Sequence, residues 1–167
     1  GKGVRPIVDE LEVSIPAGVD DGDRMRITGR GEAGYMGGPP GDLYVEIRVV
    51  EHDLFSRQGR DLHALVTVDM SEAALGTDID IPTLNGEEKL HIPAGSQPGD
   101  VFKLRGRGMP RVNSRQTGDL FLTLEVEVPR KLNAEQRRLL REYQSIEAQK
   151  KDSPGIIARL RKAMRTP

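Results

Sequence analysis

The sequence predicts an all-β protein built from two tandem copies of one small β-sandwich domain, followed by C-terminal helices. Residues 15–49 align with residues 92–126 without a gap at a constant offset of 77, and 13 of the 35 aligned positions are identical. Each copy begins with "IPAG", then three residues, then "GD", and each copy ends in a segment of alternating apolar and polar residues. Because Pro, Gly and Asp specify turns, a repeated turn phrase indicates that a whole structural unit was repeated.

The last strand of each copy is predicted by its period-two pattern. The segments "LYVEIRV" and "LFLTLEVEV" both place alternate apolar residues on one face and polar residues on the other. Such a strand buries one face, which is typical of an antiparallel sheet. Two shorter strands are expected before each of these, near residues 11–15 and 25–27 in the first copy and 90–92 and 102–104 in the second.

The second copy carries additional elements. The segments "LHALVTVDM" and "TDIDIP" are predicted strands on either side of a short helical turn at "SEAALG". Asn85-Gly86, between "IDIPTL" and "EEKLHI", predicts a β-hairpin. At the offset of 77, residues 62–81 would correspond to positions −15 to 4 of the first copy. We therefore expect a fragment in which residues 1–52 form an incomplete first domain and residues 53–130 a complete second domain.

Residues 131–167 are expected to form a C-terminal helical segment. Asn133 and Gln136 have the spacing of a helix capping box. Apolar residues at helical spacing then predict one apolar face on each of two helices. These residues are Leu139, Leu140, Tyr143 and Ile146 on the first helix, and Ile156, Ile157, Leu160 and Met164 on the second. Such faces either cover the neighbouring sheet or form an oligomer interface.

The composition disfavours several classes of function. The 25 basic and 26 acidic residues nearly balance, so the net charge does not indicate a nucleic-acid or membrane partner. Cysteine is absent and the three histidines are isolated, so no metal site is predicted. No Ser/His/Asp or Cys/His set is apparent, and no apolar run approaches the roughly 20 residues of a membrane helix. We expect a cytoplasmic, non-enzymatic chain without a cofactor.

Two Arg/Gly segments, "RITGRG" and "LRGRG", suggest an alternative function as a nucleic-acid-binding β module. Aromatic residues, which would stack on bases, make up only 4% of the chain, so we favour β-bulges formed by the glycines with solvated arginines. "GRGEAG" also fits G-x-G-x-x-G, but it precedes a loop and a strand rather than the helix of a dinucleotide site. The shortage of aromatic residues likewise disfavours a carbohydrate-type β-sandwich.

The motifs together resemble one family. The doubled I-P-A-G-x-x-x-G-D, G-x-G and G-D-L pattern, with "VEHDLFSRQGRDL" and "SEAALG…IPTLNG", resembles the C-terminal client-binding region of DnaJ co-chaperones over residues 10–145. The resemblance implies two β-sandwich domains that bind non-native polypeptide, deliver it to a DnaK-type ATPase chaperone and form a homodimer through the extreme C-terminus. The chain has no His-Pro-Asp tripeptide of a J domain, and "GKG" at residues 1–3 resembles the end of a zinc-binding repeat. Zinc is therefore expected only upstream.

The resemblance also implies site residues. Leu11, in the expected strand before the first "PAG" turn, and Phe55, the aromatic residue of "HDLF", match the client pocket of the family's first domain. Phe55 plus the offset of 77 is Leu132, where we expect a second, weaker pocket. Core packing is the alternative role for Leu11 and Phe55. Dimerisation is expected through Leu139, Leu140, Tyr143, Ile156, Ile157 and Leu160.

Overall fold

The computed structural model describes residues 8–150, and the chain forms two compact units, Gly1–Glu127 and Val128–Pro167. The strands are β1 (Arg24–Ile27), β2 (Leu43–Glu46), β3 (Ser56–Gln58), β4 (Asp61–Asp69), β5 (Thr77–Thr83), β6 (Gly86–Ile92), β7 (Val101–Leu104) and β8 (Leu120–Glu127). The α-helices are α1 (Met70–Leu75) and α2 (Ala134–Gln149), and a short 3-10 turn covers Tyr35–Gly37. The predicted all-β class is confirmed. The domain boundary expected after residue 52 lies within the first unit and stays a prediction.

The second copy has its own buried core between two sheets. One sheet has the order β3-β4-β8-β7, and the other is the β5–β6 hairpin. Apolar side chains from both sheets and from α1 pack in one cluster: Leu62, Val66, Val68, Ala73, Ile81, Leu90, Ile92, Leu120, Leu122 and Leu124. Full burial of one such large side chain stabilises the fold by about 1.5–3 kcal/mol. Among residues 8–52, by contrast, the one buried hydrophobic residue is Ile47, and β1 and β2 form a two-stranded sheet.

The duplication is confirmed in the strand register. In the first copy, β1 pairs with β2 in antiparallel register from Arg24↔Glu46 to Ile27↔Leu43. Adding 77 to each of these numbers gives the observed pairing of β7 with the first half of β8. The two copies therefore share not only residue types but the same ladder of partners.

The repeated turn phrase makes the same hydrogen bonds in both copies. In the first copy, the N–H of Gly22 donates to the carbonyl of Ile47 at 2.8 Å, and the Asp23 carboxylate accepts from the N–H of Asp20 at 2.7 Å. The same two bonds recur 77 positions later with lengths of 2.8 and 2.7 Å. Gly18 and Gly22 have φ values of +91° and +83°, a region that favours glycine. The turn needs glycines with positive φ and a carboxylate acceptor, which explains why "IPAG" and "GD" occur in both copies.

A second turn follows each short strand. The N–H of Gly29 donates to Asp42 Oδ1 at 2.9 Å, and the equivalent bond from Gly106 to Asp119 is 2.8 Å. Hydrogen bonds from Lys103 and then Gly106 hold the pKa of Asp119 below its ordinary value, so this carboxylate is an ionised acceptor at neutral pH. Both glycines have positive φ, +72° and +69°, in turns directly after β1 and β7. The β-bulges expected at these glycines stay a prediction.

The expected antiparallel arrangement is wrong for one strand pair. β8 pairs with β4 in parallel, from Leu62↔Leu120 to Asp69↔Glu127, and with β7 in antiparallel orientation, so the sheet is mixed. Alternation reports that one face is buried and does not report the direction of the neighbouring strand. The long connection through α1, β5, β6 and β7 makes the parallel pairing possible, because parallel strands need a crossover.

The strand expected near Leu11–Ile15 is not formed in the structure, which has no strand between residues 8 and 23. Its counterpart in the second copy, β6, exists as a strand because it pairs with β5. At the offset of 77, the equivalents of residues 78–83 are positions 1–6, which lie outside the described residues. A strand is defined by the hydrogen bonds to its neighbour, so the apolar pattern of residues 11–15 was not sufficient.

The predicted hairpin is confirmed with its loop shifted by one residue. Thr83 pairs with Gly86, so the two loop residues are Leu84 and Asn85 rather than Asn85 and Gly86. Gly86 is the first residue of β6 and has φ of +117°. Asn85-Gly86 therefore predicted the hairpin correctly, because the positive φ at residue 86 favours glycine. This glycine begins β6 and is not one of the two loop residues.

The capping box of the C-terminal segment is confirmed. Asn133 Oδ1 accepts from the N–H of Gln136 at 2.8 Å, and Gln136 Oε1 accepts from the N–H of Asn133 at 2.9 Å, at the start of α2. The second helix predicted over residues 156–164 lies outside the described residues. Within residues 8–150, no helix is long and apolar enough to cross a membrane.

Arg57, in β3, joins the second copy to the first turn phrase. Its Nη1 donates to the carbonyl of Val19 at 2.7 Å, and its Nη2 donates to the carbonyl of Gly18 at 3.1 Å. The same Nη2 lies 3.0 Å from Asp20 Oδ1, and Nε donates to the carbonyl of Gly59 at 2.8 Å. All three guanidinium nitrogens are thus engaged at the junction of the copies.

The first turn also packs closely against the second copy. A Cβ atom on Gly18 would lie 2.1 Å from the carbonyl oxygen of Pro110, whereas a Cβ on the equivalent Gly95 would meet nothing within 4 Å. Gly18 is therefore required both for its backbone conformation and for this contact, while Gly95 is required only for its conformation.

We expect Arg57→Ala to lower the free energy of unfolding by about 1–3 kcal/mol, because it leaves part-buried carbonyls at the junction without their charged donor. Urea denaturation followed by circular dichroism measures this change. Arg60→Ala is the control, because the exposed Arg60 side chain makes one 3.4 Å contact with Gln116. Equal loss of stability in the two variants would contradict a structural role for Arg57.

Candidate functional site

A cavity of about 590 Å³ lies at the junction of the two copies, within the first unit. Its size falls in the range of ligand-binding clefts. The apolar part of its lining comes from both copies: Val49, Val50, Phe55, Leu62, Leu84 and Met109. The polar part is formed by Asp20, Asp21, Glu51, His52, Ser56, Arg57 and Gly59. Because the lining joins residues that are distant in sequence, the cavity depends on how the two copies are held together.

Phe55 forms one wall of this cavity. Its half-buried side chain also packs against the core cluster of the second copy. The ring of His52 lies beside it, with 5.0 Å between ring centroids and 34° between ring planes. His52 Nδ1 accepts from the N–H groups of Leu54 at 3.1 Å and Phe55 at 3.4 Å, which orients the "HDLF" turn. The Phe55 ring can therefore form a wall of the cavity and pack against the core at the same time.

The mouth of the cavity carries apolar side chains that the fold does not bury. Val50 is 89% exposed, and Val49 and Leu84 are 46% and 44% exposed. These side chains lie beside the half-buried Phe55 and Met109. Exposed apolar residues that adjoin a cavity are typical of a surface that binds another apolar group.

The charged side chains of the lining are not equivalent. Asp20 is paired with Arg57, whose nitrogens are all directed at the junction. Asp21 Oδ1 accepts from the N–H of Val49 at 2.8 Å. The exposed Glu51 carboxylate has no hydrogen bond or ion pair to any residue among 8–150. The cavity therefore combines an apolar interior with carboxylates at its mouth.

Leu11 does not share this cavity with Phe55. Leu11 is half-buried in a segment without strand structure, and it is not among the lining residues of the cavity. Sequence reasoning missed Val49, Val50, Leu84 and Met109. One signal was present in "VV" at residues 49–50, where two adjacent apolar residues break the alternation, and both side chains are exposed in the structure. The client-pocket roles of Leu11 and Phe55 stay predictions.

Leu132 lies in a groove of the second unit. This groove has a volume of about 440 Å³ and is lined by Leu132 together with Leu140, Tyr143 and polar residues of α2. Leu139 and Tyr143 are 50% and 60% exposed on α2. The other residues expected to form a dimer, Ile156, Ile157 and Leu160, lie outside the described residues. The second pocket and the dimer interface stay predictions.

Metal ligation has no support in the part of the chain that the structure describes. Within residues 8–150, no group of three or more His, Asp or Glu side chains is placed to hold a metal ion. The candidate site described above is an apolar cavity with polar residues at its mouth.

Comparison with known proteins gives consistent results. Residues 5–129 match the family described as the DnaJ C terminal domain. A relative named chaperone protein DnaJ from Herminiimonas arsenicoxydans is 50% identical over 146 residues, which are 86% of this chain and 39% of that protein. Proteins of the same name from Xylella fastidiosa (strain 9a5c) and Agrobacterium fabrum are 54% and 44% identical, over 80% and 90% of this chain. The chain spans about two fifths of the length of these curated relatives, between 36% and 41%.

Proposed function

The chain belongs to the DnaJ C-terminal domain family, and we propose that it binds exposed segments of unfolded or partly folded client proteins for delivery to a DnaK-type ATPase chaperone. The observation that carries this proposal is the cavity at the junction of the copies, with exposed Val49, Val50 and Leu84 around its mouth. A client side chain such as Leu or Phe would exchange water for this apolar lining. The proposal includes the cytoplasmic location and the absence of a cofactor expected from the sequence.

The chemistry of the cavity supports loose rather than selective binding. Full burial of one large apolar side chain contributes about 1.5–3 kcal/mol, which alone corresponds to weak affinity. Contacts with apolar surface discriminate poorly between Leu, Ile, Phe and Met. A protein that holds many different unfolded chains needs this tolerance, and transfer to a second chaperone needs readily reversible binding.

Main-chain hydrogen bonds supply the second part of the proposed interaction. β3 is an edge strand of the four-stranded sheet, because β4 is its one strand neighbour among the described residues. Ser56 and Arg57 of this strand also line the cavity. An extended client segment that adds to the free edge of β3 would place alternate side chains towards the cavity. Such pairing uses the client backbone and is therefore independent of its sequence.

The nucleic-acid alternative is not favoured. Three of the four arginines in the two Arg/Gly segments are paired with carboxylates: Arg26 with Asp42 at 2.7 Å, Arg30 with Asp9 at 3.4 Å, and Arg107 with Glu88. The formal net charge of −1 also lacks the positive footprint of a phosphate-binding protein. We therefore propose no nucleic-acid or membrane partner, and binding of polypeptide rather than catalysis.

The proposal includes a homodimer formed through the C-terminal segment. Leu139, Tyr143 and Ile146 are 50%, 60% and 54% exposed and lie at helical spacing on α2. An apolar face of this kind is stabilised when it is covered by another chain. A dimer would contain two client-binding cavities, one in each subunit. A client bound at both cavities would have a higher apparent affinity.

We expect Val50→Ser to weaken binding of an unfolded client by about three- to tenfold, because it removes apolar area at the mouth of the cavity. Its 89% exposure means that the fold does not depend on this side chain. Fluorescence anisotropy with a labelled, permanently unfolded protein measures the affinity, and the melting temperature confirms that the variant is folded.

Val101→Ser is the matched control, because Val101 is 58% exposed on β7 and does not line the cavity. Phe55→Leu is a second cavity variant that keeps an apolar side chain against the core. Unchanged client affinity in both Val50→Ser and Phe55→Leu would overturn the cavity as the binding site.

We expect the 167-residue chain to sediment as a dimer and the double variant Leu139→Glu/Tyr143→Glu to sediment as a monomer. The introduced carboxylates would have to be buried in the interface, which is costly for unpaired charges. Ala148→Glu, on the opposite face of α2 by helical spacing, is the control and is expected to stay dimeric. A monomeric parent chain at micromolar concentration would contradict the proposed dimer.

A further inference from the structure

The mouth of the junction cavity is acidic, and we propose that the cavity selects client segments in which Lys or Arg flanks an apolar side chain. The inference rests on the proposed function, since the same cavity receives the apolar side chain. It adds the charge of the segment as the property that distinguishes favoured clients from others.

The charge balance of the lining carries the argument. The lining contains three carboxylates, from Asp20, Asp21 and Glu51, and one guanidinium group, from Arg57. Arg57 is paired with Asp20 at 3.0 Å and donates its remaining hydrogen bonds to backbone carbonyls. The Asp21 and Glu51 carboxylates are left without a cationic partner among residues 8–150.

The two uncompensated carboxylates lie next to the exposed apolar side chains. Asp21 Oδ1 is bonded to the N–H of Val49 at 2.8 Å, and Glu51 directly follows Val50 in the chain. Both acidic residues are exposed. A client that covers Val49 and Val50 therefore brings its neighbouring residues to these carboxylates, where a Lys or Arg is attracted and an Asp or Glu is repelled.

The second copy shows that the turn does not need these acids. At the offset of 77, Asp20, Asp21 and Glu51 correspond to Gln97, Pro98 and Val128. The turn nevertheless forms the same hydrogen bonds, including 2.7 Å from the N–H of Gln97 to the carboxylate of Asp100. All three acidic positions are therefore uncharged in the copy that folds with the same turn. In the first copy Asp20 pairs with Arg57 and Asp21 accepts from the N–H of Val49, whereas Glu51 makes no such contact among residues 8–150.

The expected effect is moderate, because exposed charge pairs change an affinity by up to about fivefold each and are screened by salt. Three labelled peptides with one Leu/Phe core and flanks of Lys, Gln or Glu test the proposal by fluorescence anisotropy with the 167-residue chain. At low ionic strength we expect the Lys-flanked peptide to bind about fivefold tighter than the Gln-flanked peptide and the Glu-flanked peptide to bind weakest.

Glu51→Gln is the informative variant, because this side chain supports no other contact in the described structure. It should reduce the preference for Lys flanks, measured as the ratio of the affinities for the Lys-flanked and Gln-flanked peptides, to about twofold or less. Glu32→Gln makes the same charge change beyond the far end of β1 and should keep the full preference.

The outcomes separate this proposal from the function on which it rests. Equal affinities for the three peptides, with binding still weakened by Phe55→Leu, would overturn the charge preference alone. A Lys preference that Glu51→Gln leaves intact would also overturn it, because the selecting charge would lie elsewhere. Binding of all three peptides that neither Phe55→Leu nor Val50→Ser weakens would overturn both the preference and the cavity as the client site.

Discussion

The junction between the two copies depends on the guanidinium group of Arg57. Its three nitrogens reach the carbonyls of Gly18, Val19 and Gly59 and the carboxylate of Asp20, so the first turn phrase is fixed to the start of the second copy. The candidate cavity takes its walls from both copies, and its shape therefore follows from this contact. Because charge-assisted hydrogen bonds are stronger than neutral ones, one side chain can hold this geometry.

The duplication separates what the fold requires from what the first copy adds. Gly22 and Asp23 recur in the second copy because their turn needs a positive φ and a carboxylate acceptor. The acids around the cavity do not recur, and the large buried core belongs to the second copy. The first copy thus contributes the turn residues Asp20 and Asp21 and residues 49–52 to the cavity, and the second copy contributes the other lining residues.

Local patterns predicted local structure well, and pairings between distant segments poorly. Alternation located β2 and β8, and the Asn133 capping box located the start of α2, because both signals act between near neighbours. The parallel pairing of β4 with β8 has no local signal, and the three residues of β3 are too few to show a period. Leu84 and Met109 reach the cavity only through tertiary packing, so no pattern in the sequence identifies them as site residues. Phe55 was identified by family resemblance rather than by its spacing.

Binding of the client in the junction cavity can be followed by NMR titration of the methyl-labelled chain with a permanently unfolded protein. If the cavity receives the client, the methyl groups of Val49, Val50 and Leu84, which line its mouth, will show saturable shifts. Shifts confined to the groove around Leu132, or no shifts in the first unit at saturating client, would contradict binding in the cavity.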